Sequence, residues 1–288
     1  MVNLKYYLIV LLAVAGGSTA VIFGKTATAP SMVLVVYRML MASCMLLPVM
    51  IRRRKDYGKI GLKTLLIAAC GGIALGLHFS SFFQSVKMTS AAAASVLCNT
   101  QVVFVALFSA LIFRKRYRAV SYLAILIALA GACIMAVAGS SGGMGSLSGD
   151  IFALLAAVAL AVYTMISSHC RKSMDTSLYT TITYPFAALT AFILALASGN
   201  SVVGWEPVNL LAALGLTVFC TFLGHSLFSF SLKYLSPSFV STMQLLDSLF
   251  CVIWGIIFFG EIPTLPVLAG GAVAMGGVLM FCLTEKET

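Results

Sequence analysis

The chain has 288 residues, of which 61% are hydrophobic and only 9% charged, with a mean hydropathy of +1.07. Soluble domains carry roughly a quarter charged residues, which keep them dispersed, so a soluble enzyme, a disordered tail and a disulfide scaffold are excluded. The net charge of +10 would suit a nucleic-acid partner, but Lys and Arg fall in short clusters between apolar runs, as in loops at a membrane surface. No basic stripe interleaves with aromatics outside those runs, so nucleic acid is not an expected partner.

A spanning helix takes about 20 apolar residues, and ten such segments separate along the chain. They lie near 4–24, 31–51, 62–86, 90–113, 117–138, 148–169, 178–198, 207–232, 237–259 and 265–284. The expected fold class is an all-α polytopic membrane protein. The first segment, with Lys5 ahead of it and Gly16-Gly17-Ser18-Thr19-Ala20 at its end, has the outline of a signal peptide. It is long for one and nine more segments follow, so it is read as a helix. Turns fall at Ala29-Pro30-Ser31, Ser140-Ser141-Gly142-Gly143, Ser198-Gly199-Asn200 and Glu206-Pro207. The eight cysteines are scattered singly, without a metal-ligand spacing, and read as small packing residues. Neither a metal nor a cofactor is expected.

Charge orients the segments. With the N-terminus inside, 15 of the 18 Lys and Arg residues fall in cytoplasmic stretches, among them Arg52-Arg53-Arg54-Lys55, Arg114-Lys115-Arg116 and Arg171-Lys172. Only Lys25 and Lys87 fall outside, and Arg38 lies within a helix. This bias predicts a multi-pass plasma (inner) membrane protein with both termini cytoplasmic. A shift of 146 residues brings Lys25 onto Arg171, Lys87 onto Lys233, Ser95 onto Ser241, Phe113 onto Phe259 and Gly131 onto Gly277. Residues 1–140 and 148–288 are therefore read as two five-helix halves joined by a linker at 141–147. An odd number of helices per half inverts the second copy, an arrangement in which transporters place substrate near the midplane.

Arg38-Met39-Leu40 followed by an apolar run to Arg52-Arg53-Arg54 resembles the second helix of the drug/metabolite transporter superfamily. Ser85-Val86-Lys87-Met88-Thr89-Ser90-Ala91 resembles its turn between the third and fourth helices. Ser231-Leu232-Lys233-Tyr234-Leu235-Ser236-Pro237 echoes that turn, and Phe259-Gly260-Glu261 resembles the Gly-Glu ending its ninth helix. The match is to the EamA-type branch, with one domain per half, over about the whole chain. Val102 stands where the family has a fourth-helix Pro, and Arg114-Lys115 where it has Gly-Glu. The resemblance implies a translocator of small molecules, often an exporter of amino acids or other metabolites.

Small residues such as Gly72 and Gly76, or Gly270, Gly271, Gly276 and Gly277, allow close helix packing within the chain, with homodimerisation as the alternative use. Ionisable groups in spans are costly and mark function. Asp247, ten residues into its segment, lies about 15 Å deep at 1.5 Å per residue, with Gln244 and Trp254 on its face. Gln101 is its counterpart under the 146-residue shift, with Asn99 nearby. His78, with Phe82 one turn on, and His225 are candidate proton relays or hydrogen-bonded core histidines. Tyr163 belongs to a mild polar face with Thr164 and Ser167, whose other reading is hydroxyls bonded back to their own helix. Arg38 is a counter-charge for a carboxylate or, alternatively, an anchor snorkelling to the interface.

The expected substrate site is thus Arg38, His78, Phe82, Asn99, Gln101, Tyr163, His225, Gln244, Asp247 and Trp254. One acid and one base suit a zwitterion such as an amino acid, exported by alternating access, with protons as the candidate coupling ion. Asp247 and the aromatics alone would favour an organic cation or drug. A membrane enzyme would need a cluster of catalytic groups that this chain lacks. A ligand-binding membrane sensor is kept as an alternative, although its loops would be expected to be longer, and a channel would carry a charged ring or pore loop. No P-loop is present, so ATP is not hydrolysed by this chain alone.

Overall fold

A computed structural model describes residues 4–114, 117–141, 146–171, 173–231, 243 and 246–284. The described residues are helical with short turns, and they fall into α1 (Leu4–Ser18), α2 (Ala20–Thr26), α3 (Ser31–Arg52), α4 (Arg54–Tyr57) and α5 (Leu62–Met88). These are followed by α6 (Ala91–Asn99), α7 (Gln101–Phe113), α8 (Ala119–Ser141), α9 (Leu147–Cys170) and α10 (Thr176–Ala197). Then come α11 (Pro207–Gly215), a π-helical stretch (Leu216–Ser226), α12 (Leu227–Ser231), α13 (Leu246–Phe259) and α14 (Leu265–Thr284). Seven stretches among the described residues are long and apolar enough to cross a membrane, with three shorter apolar helices at Ala119–Met135, Leu246–Phe259 and Leu265–Phe281. The Lys233–Pro237 turn, Gln244 and the start of the expected 237–259 segment lie outside the described residues.

Local chemistry sets the helix ends. The hydroxyls of Ser90 and Ser146 and the carboxylate of Asp175 accept from the backbone N–H three residues on, at Ala93, Gly149 and Leu178, each at 3.1 Å, which satisfies an otherwise orphaned donor. Pro207 opens α11, where its missing N–H costs nothing. The outward-facing side chains are apolar, with Leu111 76%, Leu62 71% and Ile257 63% exposed, as a lipid solvent demands.

Helices from early and late in the chain pack against one another. α5 packs against α9 and α10, α3 against α10, α8 against α14, α1 against the π-helical stretch, and α6 against α13. The α8–α14 contact is reciprocal. A Cβ built on Gly131 would stand 2.7 Å from Ala274 Cα and Gly270 O, and one on Gly277 would stand 2.8 Å from Ala128 Cα and Ala124 O. Each residue here has its counterpart 146 positions away, and contacts rise along one helix as they fall along the other. The two helices therefore run antiparallel about a local two-fold. Gly72 and Gly76 seat α5 on Thr183, Phe186, Ala187 and Thr190 of α10. Gly72, Gly76, Gly270 and Gly277 are used for packing inside the chain, whereas Gly276 meets nothing within 4 Å.

The two ends of the molecule are tied differently. At one end, Arg53 donates to Asp56 at 2.9 Å and to Asp175 at 2.5 Å, and Lys59 donates to Asp56 at 3.0 Å. The bonds from Lys59 and Arg53 hold the Asp56 carboxyl below its ordinary range. At the other, Lys25 pairs with Glu261, Lys87 donates to Ala29 O, and Thr89 donates to Asp150 at 2.9 Å. These are called below the Arg53 end and the Lys25 end.

The α8–α14 seam gives a direct stability test. Gly131→Ala must push on backbone, and overpacking of this kind costs about 1–3 kcal/mol; Gly276→Ala meets nothing within 4 Å. Melting of the purified protein in detergent is expected to fall for the first and stay unchanged for the second.

Candidate substrate cavity

Between the packed helices lies a cavity of 110 Å³. Its wall is built where three helices depart from regularity. α1 gives way to α2 at Thr19, between the lining residues Gly17 and Ala20. α6 gives way to α7 at Thr100, between the lining residues Asn99 and Gln101. The π-helical stretch supplies Cys220 and Gly224, with Phe228 just beyond it. Wider turns and breaks of this type gather at functional sites.

Arg38 is 1% exposed and does not snorkel. Its Nε donates to the Thr221 hydroxyl at 2.9 Å, while the Thr217 hydroxyl shares its proton between the Ala213 carbonyl at 2.8 Å and the Arg38 carbonyl at 3.1 Å. Both threonines come from the π-helical stretch. The guanidinium carbon lies 3.9 Å from the centre of the Phe79 ring, a cation–π contact that offsets part of its desolvation. Nη2 is buried without a partner among the described residues.

Asp247 enters the cavity from the first turn of α13. Ser95 donates to its Oδ2 at 3.0 Å; Ser248 lies 3.1 Å from Ser95, and the Asn99 amide donates to Ser248 at 2.8 Å. Because the Ser95 proton is committed to Asp247, Ser248 donates to Ser95, and three donors in series end on the carboxylate. Arg38 and Asp247 line the same cavity without forming an ion pair. His78, 5% exposed, must donate its Nδ1–H to the Ala156 carbonyl at 2.9 Å, since a carbonyl only accepts. Its ring stacks on Phe82 at 6.1 Å. His78 is thus bonded to a neighbouring helix and also lines the cavity. Gln101 also lines the cavity, and its Oε1 is buried without a partner among the described residues.

Six of the ten expected site residues meet at this cavity: Arg38, His78, Phe82, Asn99, Gln101 and Asp247. Tyr163 and Trp254 are not in its lining. Tyr163 packs on Tyr179 with ring centres 5.9 Å apart, and Trp254 donates to Ser18 at 3.0 Å while stacking on Phe250. Helical periodicity placed Trp254 on the face of Asp247, but its length carries the indole past the cavity to α1. The neighbouring Thr164 bonds back to Leu160 O at 2.8 Å. The His225 side chain and Gln244 lie outside the described residues. Sequence reasoning missed Gly17, Ser95, Cys98 and Cys220, small residues whose only signal is their closeness to a helix irregularity.

An apolar exterior, packed helices and a cavity lined by an acid and a base that do not pair with each other together suit a membrane transporter. The chain belongs to the EamA-like transporter family, whose model matches residues 4–137 and 147–283. It is 26% identical to an uncharacterized transporter of Clostridium kluyveri over 98% of this chain and 94% of that one. It is 24% identical to the pseudopaline exporter CntI of Pseudomonas aeruginosa over 96% of each chain. A solved crystal structure shares the fold with a TM-score of 0.63 at 18% identity, covering 96% of both chains.

The Thr221 bond carries a testable cost. Thr221→Val leaves the Arg38 Nε buried and unpaired and is expected to lose about 1–3 kcal/mol of stability. Thr164→Val, at an exposed hydroxyl, is expected to stay within about 0.5 kcal/mol. Thermal melting of the two variants side by side reads the difference.

Proposed function

We propose that this protein is a secondary transporter that exports a small zwitterionic or amphiphilic metabolite, such as an amino acid, by alternating access. The observation that carries the reading is the cavity's composition: Arg38 with an unpartnered Nη2 and Asp247 face one space without pairing. Leaving two charges unpaired in a membrane interior is expensive, and a ligand carrying both complementary charges removes the cost. Phe79, Phe82 and Phe228 supply apolar wall. The cavity is smaller than the ~300 Å³ usual for ligand sites, which fits a contracted state that widens on loading.

On this reading ten spans cross the bilayer with both termini cytoplasmic, as two inverted halves, 1–140 and 148–288, around the cavity. The antiparallel, reciprocal α8–α14 contact supports the inversion. The excess of Lys and Arg at the Arg53 end supports its placement in the cytoplasm. Export is supported by the likeness to the CntI exporter. Two halves that pack across a shared site, with no nucleotide-binding loop, suit a rocking mechanism.

A second reading, an organic cation as substrate, draws on Asp247 and the phenylalanine walls alone. The two part on a pair of variants tested by counterflow in proteoliposomes. For a zwitterion, Asp247→Asn and Arg38→Gln each slow exchange by about tenfold or more, worth about 1.4 kcal/mol, while Arg38→Lys retains part of it. For an organic cation only the first does so. Normal exchange by a folded Asp247→Asn protein overturns the site assignment.

A further inference from the structure

We propose that Lys25 is a two-position latch at the Lys25 end of the cavity, holding Glu261 in the state described here and passing to Asp150 when that end opens. The inference rests on the alternating-access reading above. Lys25 lies in the last turn of α2, whose first residue, Ala20, lines the cavity. Its ammonium pairs with Glu261 and also donates to Thr89 O at 3.2 Å. The other Glu261 oxygen accepts the Ala91 N–H at 2.8 Å. One ion pair thus fastens three pieces at once: the end of α2, the turn between α5 and α6, and the end of α13. The Lys25 and Glu261 side chains are 15% and 19% exposed, so the pair is withdrawn from most of the solvent that weakens surface pairs.

The second position is already built. Asp150, in the first turn of α9, is 1% exposed. Its Oδ1 accepts the Thr89 hydroxyl at 2.9 Å, and its Oδ2 is buried with no partner among the described residues. Thr89 bridges the two positions: its carbonyl takes Lys25 and its hydroxyl holds Asp150. Thr89 thus contacts both the ammonium and the carboxylate whose Oδ2 has no partner among the described residues. A buried carboxylate oxygen without a partner costs free energy, so each carboxylate is satisfied at the other's expense. That is the requirement for a two-state element that a ligand can bias. Lys87, a second cation of this end among the described residues, donates to Ala29 O.

The latch makes an opposed prediction for two carboxylates. Cys98 lines the cavity and serves as the reporter after the other cysteines are replaced. An impermeant maleimide is applied to vesicles of both orientations, with melting checked for each variant. Glu261→Gln frees Lys25 and should raise labelling from the Lys25 face, relative to the Arg53 face, by about tenfold. Asp150→Asn removes the open-state partner and should lower that ratio below the parent value. In a Lys25→Gln background, Asp150→Asn should have no effect, and exchanging the charges as Lys25→Glu with Glu261→Lys, which restores the closed pair but sets a carboxylate against Asp150, should lower the ratio below the parent value. If the two carboxylate variants move the ratio the same way, or Asp150→Asn acts equally without Lys25, the latch is wrong. A parent ratio of one that no transported solute changes would instead overturn alternating access itself.

Discussion

A guanidinium buried in a lipid-embedded helix without a carboxylate beside it is the constraint around which the structure is arranged. Placing Arg at the centre of a span costs about 3 kcal/mol on insertion scales. The chain meets that cost from three directions. Thr221 takes Nε, Thr217 holds the Arg38 backbone, and the Phe79 ring lies against the guanidinium face. None of these neutralises the charge, and Nη2 is left over. On the proposed reading, Nη2 is the donor kept for a ligand.

The irregular helices follow from the same demand. A regular helix offers the cavity only side chains, whereas a break exposes backbone carbonyls that lipid cannot satisfy. Each break here carries hydroxyls that do so. Ser18 and Thr19 donate to Ala15 O and Gly16 O at 2.9 and 2.7 Å, Thr100 to Leu97 O at 2.6 Å, and Thr221 to Leu216 O at 3.3 Å. Thr221 thus serves the backbone of its own stretch and the arginine of α3 together. The polar residues that look like a binding site and those that repair the helices are partly the same residues.

Much of this was legible in the sequence because a membrane protein writes its boundaries in hydropathy and charge. The apolar segments, the internal repeat and the family resemblance all rest on patterns that extend over tens of residues. Arg38, His78 and Asp247 were visible because ionisable groups inside apolar runs are rare. Trp254 and Tyr163 fall outside the cavity lining because a helix face read from sequence does not give the neighbour it meets. The breaks at Thr19 and Thr100 and the π-helical stretch left no composition signal, since Ser and Thr are common in ordinary spans. The pairing of Lys25 with Glu261 and the vacancy at Asp150 join residues far apart in the chain, a kind of information that no single segment carries.

The central claim is that the cavity offers a cationic pole to the carboxylate of its ligand. Calorimetric titration of the purified protein with the tightest-binding amino acid from a ligand screen, and with the methyl ester of the same compound, tests it most directly. Esterification removes the anionic charge and keeps the ammonium and side chain. The account predicts that the ester binds at least about tenfold more weakly, a difference of about 1.4 kcal/mol. An ester that binds as tightly as the free amino acid, or more tightly, would contradict it.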